Sequence, residues 1–369
     1  MSGNTSWSTT RRVRAALSTA VAVCAVTAVL PGAASAEPAG VAGVAGDVLT
    51  GVERISVATD GTQGDGDSTG ASITPDGRSI VFSSSAKNLT SDPLTGDDRV
   101  FLRDQQTSQT RRLGAQSPIQ PPVISGDGEY VAYPIQWMRN TRIRLPQVST
   151  GREISTNCWY SCSQPSMSTD GHSVAHHVTI SKLSSRVEVE NWYANTKEVI
   201  VALDHNLPSR PSISGDGRYV AYEDGRREDV FVRDRTSGTT IGPLDSPPQW
   251  STLVQLSDDG SKVVYFAGSD TYVYDMGSGT TQLVPNVRGV AIDPTGRYLL
   301  YAPHDTNGPS LTLRDLLTGT DETVSNQPAS ARADAVSAGG RDVVFQSTAD
   351  DIVPGDTNAK SDVFVRHFD

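Results

Sequence analysis

From about residue 52 to the C-terminus, apolar and polar residues alternate in short runs, and helical spacing of apolar positions is absent nearly everywhere. Such alternation predicts strands with one buried face, because successive side chains on a strand point to opposite sides. One pattern of this kind recurs seven times: TPDGRSIVF (74–82), SGDGEYVAY (125–133), STDGHSVAH (168–176), SGDGRYVAY (214–222), SDDGSKVVY (257–265), DPTGRYLLY (293–301) and SAGGRDVVF (337–345). A turn dipeptide, most often Asp-Gly, sits between two apolar-alternating runs, which predicts a strand, a tight turn and a second strand. The shared glycine stands at Gly77, Gly128, Gly171, Gly217, Gly260, Gly296 and Gly340, in steps of 51, 43, 46, 43, 36 and 44 residues.

About 20 residues after the anchor comes a third strand: RVFLRD (99–104), DVFVRD (229–234), TYVYD (271–275), LTLRD (311–315) or DVFVRH (362–367). A Thr-Ser-Gly-Thr type of turn and a short fourth strand follow, as at residues 236–239 and 280–284. Four antiparallel strands in each unit of ~45 residues is the sequence mark of a propeller blade. The expected fold is all-β, a seven-bladed β-propeller with four-stranded blades, six blades being the alternative. The seventh unit runs only to its third strand, and residues 52–58 (VERISVA) match the fourth-strand pattern. They are expected to pair with residues 361–367 and close the ring, removing the exposed edge of an open array.

Residues 1–36 read as a cleaved signal peptide: Arg11, Arg12 and Arg14 precede an apolar run from Ala15 to Leu30, and Ala34-Ser35-Ala36 offers a small-residue cleavage site. The apolar run is short for a membrane span, and no second candidate follows. Residues 37–51 read as a flexible lead, residues 52–369 as the propeller domain, and the mature chain as secreted, extracellular and monomeric. Removing three arginines and no acids takes the net charge from -11 to -14. That balance speaks against nucleic acid and anionic membrane as partners. Of three cysteines, Cys158 and Cys162 remain, and in an exported chain they are expected to form a disulfide.

The anchor and third-strand phrases resemble those of the TolB-like β-propeller repeats, within the broader class of WD-like repeats. The resemblance spans roughly residues 54–369 and implies a secreted bacterial propeller used as a binding platform. Its best-known members carry six blades and an extra α/β domain, whereas this chain has seven anchors and no such domain, so a Tol-Pal partnership does not carry over.

Several strings invite a chemical reading. Gly171-His172-Ser173-Val174-Ala175 resembles a hydrolase nucleophile elbow, but it is the third copy of the anchor and predicts strand-turn-strand, not strand-turn-helix. His172, His176, His177 and His205 fall close in sequence without the convergence a zinc site needs. The anchor residues Asp76, Asp127, Asp170, Asp216 and Asp259 suit side-chain bonds to nearby amides. Three acidic loops, residues 59–70, 86–98 and 349–362, should meet where blades one and seven touch. There Asp65, Asp67, Asp92, Asp97, Asp98, Asp356, Asn358 and Asp362 would crowd together. Calcium would suit such an oxygen-rich cluster, with Asp356, Asn358, Asp362, Asp65 and Asp67 as candidate ligands. Trp137, Trp159, Tyr160, Trp192, Tyr193 and Trp250 suit contact with glycan or protein.

No residue takes a catalytic role in this reading, and no cofactor is implied beyond calcium. The expected function is a non-catalytic module that binds a protein or glycan ligand. The alternative is a secreted polysaccharide-active lyase or hydrolase using the central channel. The inner-strand segments 120–125, 210–214 and 288–292 offer scattered arginines and few acids, and arginines at a channel mouth suit an anionic ligand.

Overall fold

The structure is a computed structural model that describes residues 49–91, 98–156, 158–204, 207–225, 229–244, 250–304 and 308–368. The expected signal peptide, most of the lead, Asp92, Asp97 and His205 lie outside them. The described residues form seven four-stranded antiparallel sheets, six of them consecutive along the chain. The seven inner strands are Ser68–Ile73, Val123–Ile124, Ser161–Met167, Ser209–Ile213, Ser251–Leu256, Val287–Ile292 and Ala329–Ser330. Among these residues no helix is long and apolar enough to cross a membrane.

The fourth blade shows why the anchor phrase folds as it does. Ser214 Oγ donates to Asp216 Oδ1 at 2.6 Å, and the same oxygen accepts the Arg218 amide at 2.9 Å. The Tyr219 amide donates to Ser214 Oγ at 2.9 Å, so the two side chains satisfy the turn from within. Gly217 sits at φ +73°, a conformation that disfavours any residue with a Cβ. Asp76, Asp127, Asp170 and Asp259 repeat the arrangement. Just beyond the turn, the Arg218 guanidinium forks onto Asp234 at 3.1 and 2.7 Å, tying the second strand to the end of the third. This pairing holds the Asp234 carboxyl well below the usual carboxylate range. Arg78–Asp104 and Arg297–Asp315 are the same device in blades one and six.

Packing within the blades uses cross-strand aromatic pairs. Phe82–Phe101, Tyr222–Phe231, Tyr265–Tyr272 and Phe345–Phe364 stand in direct register, with ring centroids 5.9, 5.8, 5.4 and 5.6 Å apart. The ring closes as expected. Val52–Arg54 is the outer strand of the seventh sheet, with Val52 opposite Arg366 and Arg54 opposite Phe364. The strand stops at Arg54, short of the expected Ala58, because the chain then turns inward. There Ser56 Oγ donates to the buried Asp362, and the Ala58 amide donates to Thr62 O at 2.8 Å. Ile55, Ile80, Phe82, Leu89 and Phe364 fill a shared core across this seam.

Candidate active site

Inner-strand bulges shape the central channel. Register shifts between Ser163 and Ser166 and between Ser209 and Ser212 place Gln164 and Arg210 at φ +53° and +48°. The seventh blade departs further. Ser330 pairs with Gln346 and Val336 with Val343, so six residue steps of the inner strand oppose three of its partner. The surplus chain carries Arg332 and Asp334 to the cavity wall, with Asp334 at φ +63°. Positive φ in a residue with a Cβ costs free energy and concentrates at functional sites, and bulges do the same beside active sites.

At one end the channel is drawn tight by the anchor turns. The Asp127 amide donates to Thr169 O, Thr169 to Gly215 O, and Gly215 to Asp258 O, at 2.9, 2.8 and 2.7 Å. Gly215 is required by close approach, since a Cβ there would fall 2.3 Å from Thr169 Oγ1. Above this constriction Asp258 and Asp334 line an enclosed space of about 30 Å³, enough for a water molecule. Toward the other end the channel widens into a cavity of about 330 Å³ lined by Gln120, Gln164, Arg210, Arg332 and Asp334. An adjoining cavity of about 500 Å³ shares Arg210 and Arg332 and adds Arg288.

Burial in this channel, followed by the neighbouring charges of Asp334, Asp259 and Asp293, pushes the Asp258 carboxyl up to about 7. Burial also raises Asp334, against the pull of Arg332. Arg332 is lowered by the same burial, and its Nε and Nη1 are buried with no hydrogen-bond partner among the described residues. Gln255 ties the wall together: its Nε2 donates to Asp334 Oδ1 at 2.8 Å and its Oε1 accepts the Ile292 amide at 3.1 Å. Arg210 Nε lies 3.4 Å from Glu223 Oε2, and the Arg288 guanidinium sits 5.0 Å from the Phe266 ring centroid. The chemistry on offer is therefore guanidinium groups at a wide mouth and proton-holding carboxyls at depth.

The sequence reading of few acids on the inner strands missed Asp258 and Asp334. Asp258 was visible as a departure from the repeat, since the other anchors carry Pro75, Gly126, Thr169, Gly215, Pro294 or Ala338 at that position. For Arg332 and Asp334 no local pattern existed.

The other candidates fall elsewhere. Asp356, Asn358, Asp362, Asp65 and Asp67 do gather at the seam, where protein donors fill their oxygens. Arg54 lies 3.2 Å from Asp356 and 3.5 Å from Asp362, and Gln63 Nε2 donates to both at 2.7 and 3.1 Å. Asn358 Nδ2 donates to Asp362 at 3.1 Å, Asp67 accepts the Ser361 amide at 2.9 Å, and Asp65 accepts the Lys87 amide at 2.6 Å. Ser173 opens the strand Ser173–Ser181 in the strand-turn-strand setting expected of it. Trp192 packs on Tyr130, Trp137 lies beneath the Arg142 guanidinium, and Trp159, Tyr160, Tyr193 and Trp250 are exposed. Cys158 and Cys162 form a disulfide.

No family model matches the chain, and no curated protein matches it in sequence. Solved structures do resemble it. An oligogalacturonate lyase in complex with manganese is 14% identical, with a TM-score of 0.63 over 86% of this chain and 93% of that one. An oligogalacturonate lyase from Vibrio parahaemolyticus gives the same values. The β-propeller domain of Cps50 (Swd1) from Myceliophteria thermophila is 13% identical, with a TM-score of 0.53 over 82% and 97%. TolB from Acinetobacter baumannii is 16% identical over 68% and 61%, and its TM-score of 0.47 is too low to carry weight.

These likenesses show the propeller fold. They also correct the expectation of a non-catalytic binding module, because enzymes are built on this architecture and the fold gives no ground for setting catalysis aside. Manganese does not fit the channel as it stands. Its preferred donors are oxygen and nitrogen, and among the described residues the channel brings no three ligand-type side chains into mutual reach; the compact group of that kind is in the third blade.

Proposed function

We propose that the chain is a polysaccharide-active enzyme of the lyase type, working on anionic uronate oligosaccharides in the central channel. The observation that carries this reading is Arg332, a guanidinium with buried, unpartnered nitrogens on the cavity wall it shares with Asp334, which in turn lines the small space of Asp258. Buried unpaired donors are costly, and a carboxylate ligand satisfies a guanidinium with two parallel hydrogen bonds. Arg210 and Arg288 at the mouth add attraction for the same charge.

Arg332 binds the uronate carboxylate and neutralises it, which makes the adjacent ring C–H more acidic. Asp258, with its proton affinity raised to near neutrality, takes that proton as a general base through a water in the small space it shares with Asp334. The C–H electron pair becomes a ring double bond as the neighbouring C–O bond breaks. Asp334, held toward its protonated form, gives a proton to the departing oxygen. An exported chain, as expected of its leader, would meet such glycans outside the cell. The fold likeness to oligogalacturonate lyases supports the choice of substrate class.

The test is to incubate the protein with oligogalacturonate and follow the ultraviolet absorbance of the unsaturated product. Turnover of the acid and none of its carboxyl-reduced, neutral counterpart is expected. Absence of product from every uronate oligosaccharide tried would overturn the proposal.

A further inference from the structure

Cys158, Cys162 and His176 stand apart from the channel chemistry: both sulfurs and a ring nitrogen lie within 4.8 Å of one another, and all three residues are buried. We propose that this is a redox-gated zinc site. With the disulfide closed there is no thiolate and no site. A dithiol reductant supplies two electrons that break the S–S bond and leave two thiols, and zinc then displaces their two protons to bind both sulfurs and the imidazole.

The third blade builds this cluster from three directions. Cys162 sits on Ser161–Met167, opposite Val178 on the strand that carries His176, and Cys158 comes from the loop after the preceding blade's outer strand Glu153–Ser155. Around them Val123, Ile143, Leu145, Val174 and Val178 form an apolar shell. A fully buried imidazole is out of place in such a shell unless its nitrogens are used. His176 Nδ1 is 3.2 Å from Val174 O, whereas Nε2 has no hydrogen-bond partner among the described residues and lies 3.6 Å from Glu188 Oε2. Glu188, itself held by Arg186 and Lys197, therefore stands where it orients the ring from outside the cluster. Thr156 Oγ1, 3.2 Å from Cys158 Sγ, is placed to donate to a thiolate.

Two thiolates and one imidazole select zinc over the hard cations calcium and manganese. The inference is independent of the lyase reading. Calorimetric titration of zinc into the full chain, reduced with a phosphine that is then removed without air, should give one equivalent of binding; the oxidised protein should bind none. Cobalt in place of zinc should give a thiolate-to-metal charge-transfer band. His176→Gln and Cys158→Ser should each weaken zinc binding at least ~10-fold. Cys158 lies in a loop outside the blade strands, so Cys158→Ser should keep the native circular dichroism spectrum even if the buried histidine variant does not fold. No binding by the reduced chain, or unchanged binding by folded Cys158→Ser, would overturn the proposal.

Discussion

Asp258 ties activity and stability to the same proton. Its carboxyl is raised from 3.8 to about 7, so the native state holds a proton that the unfolded chain has already released over that interval. The sign follows: Asp258 leaves folding unpenalised at low pH, and stability is lost as pH rises between these two values. Asp258→Asn should therefore melt at a higher temperature than the parent at pH 8 and at the same temperature at pH 3. In the lyase assay the parent's rate should fall about tenfold per pH unit below 7, as the base becomes protonated. The same variant should lose this limb along with ~100-fold or more of the rate. Arg332→Gln removes the buried guanidinium, and a loss of about 100- to 1,000-fold in kcat, the usual range for a preorganised charge-stabilising donor, is the expected result.

Among the elements, the seam between the first and last segments is the decisive one. Arg54 is the cation for the buried carboxylates Asp356 and Asp362. Arg54→Met would strand both, and about 3–5 kcal/mol of stability should go with it in urea unfolding. Deleting residues 49–57 should do more, since it also exposes the edge of Asp362–His367 and part of the apolar core behind Phe364. Because Arg54 and Gln63 already satisfy the acidic loops, a chelator should leave the melting temperature unchanged. A marked fall with EDTA would instead favour calcium at the seam. The seventh inner strand is an element of the other kind: its surplus residues contribute little pairing to the sheet and place Arg332 and Asp334 on the cavity wall.

For the whole molecule, the ring converts local repeats into one channel with a tight end and a wide end, and charge is sorted along it. The chain's net charge is -11, yet the wide mouth presents Arg210, Arg288 and Arg332. Attraction of an anionic oligosaccharide should depend on these few groups, so KM for oligogalacturonate should rise when salt goes from 0.05 to 0.5 M, as screening shortens to a few ångströms at the upper end. Arg210→Gln should flatten that dependence.

What the sequence determined by itself was everything set by nearest neighbours. The anchor turn is satisfied by its own Ser and Asp side chains, and alternation chooses the buried face of each strand. Counting anchors therefore yielded seven blades, and the fourth-strand match of residues 52–58 anticipated closure. The disulfide followed from two cysteines four positions apart. Even Asp258 was legible as the charged exception in its repeat. Tertiary structure alone decided which inner-strand residues share the channel, because that depends on bulge lengths in separate blades and on seven strands meeting around one axis. Arg332 and Asp334 acquire their meaning from Asp258, some 75 residues earlier in the chain, and from the burial that raises their electrostatic stakes. A side chain's proton affinity is a property of its surroundings, and those surroundings exist only once the ring has closed.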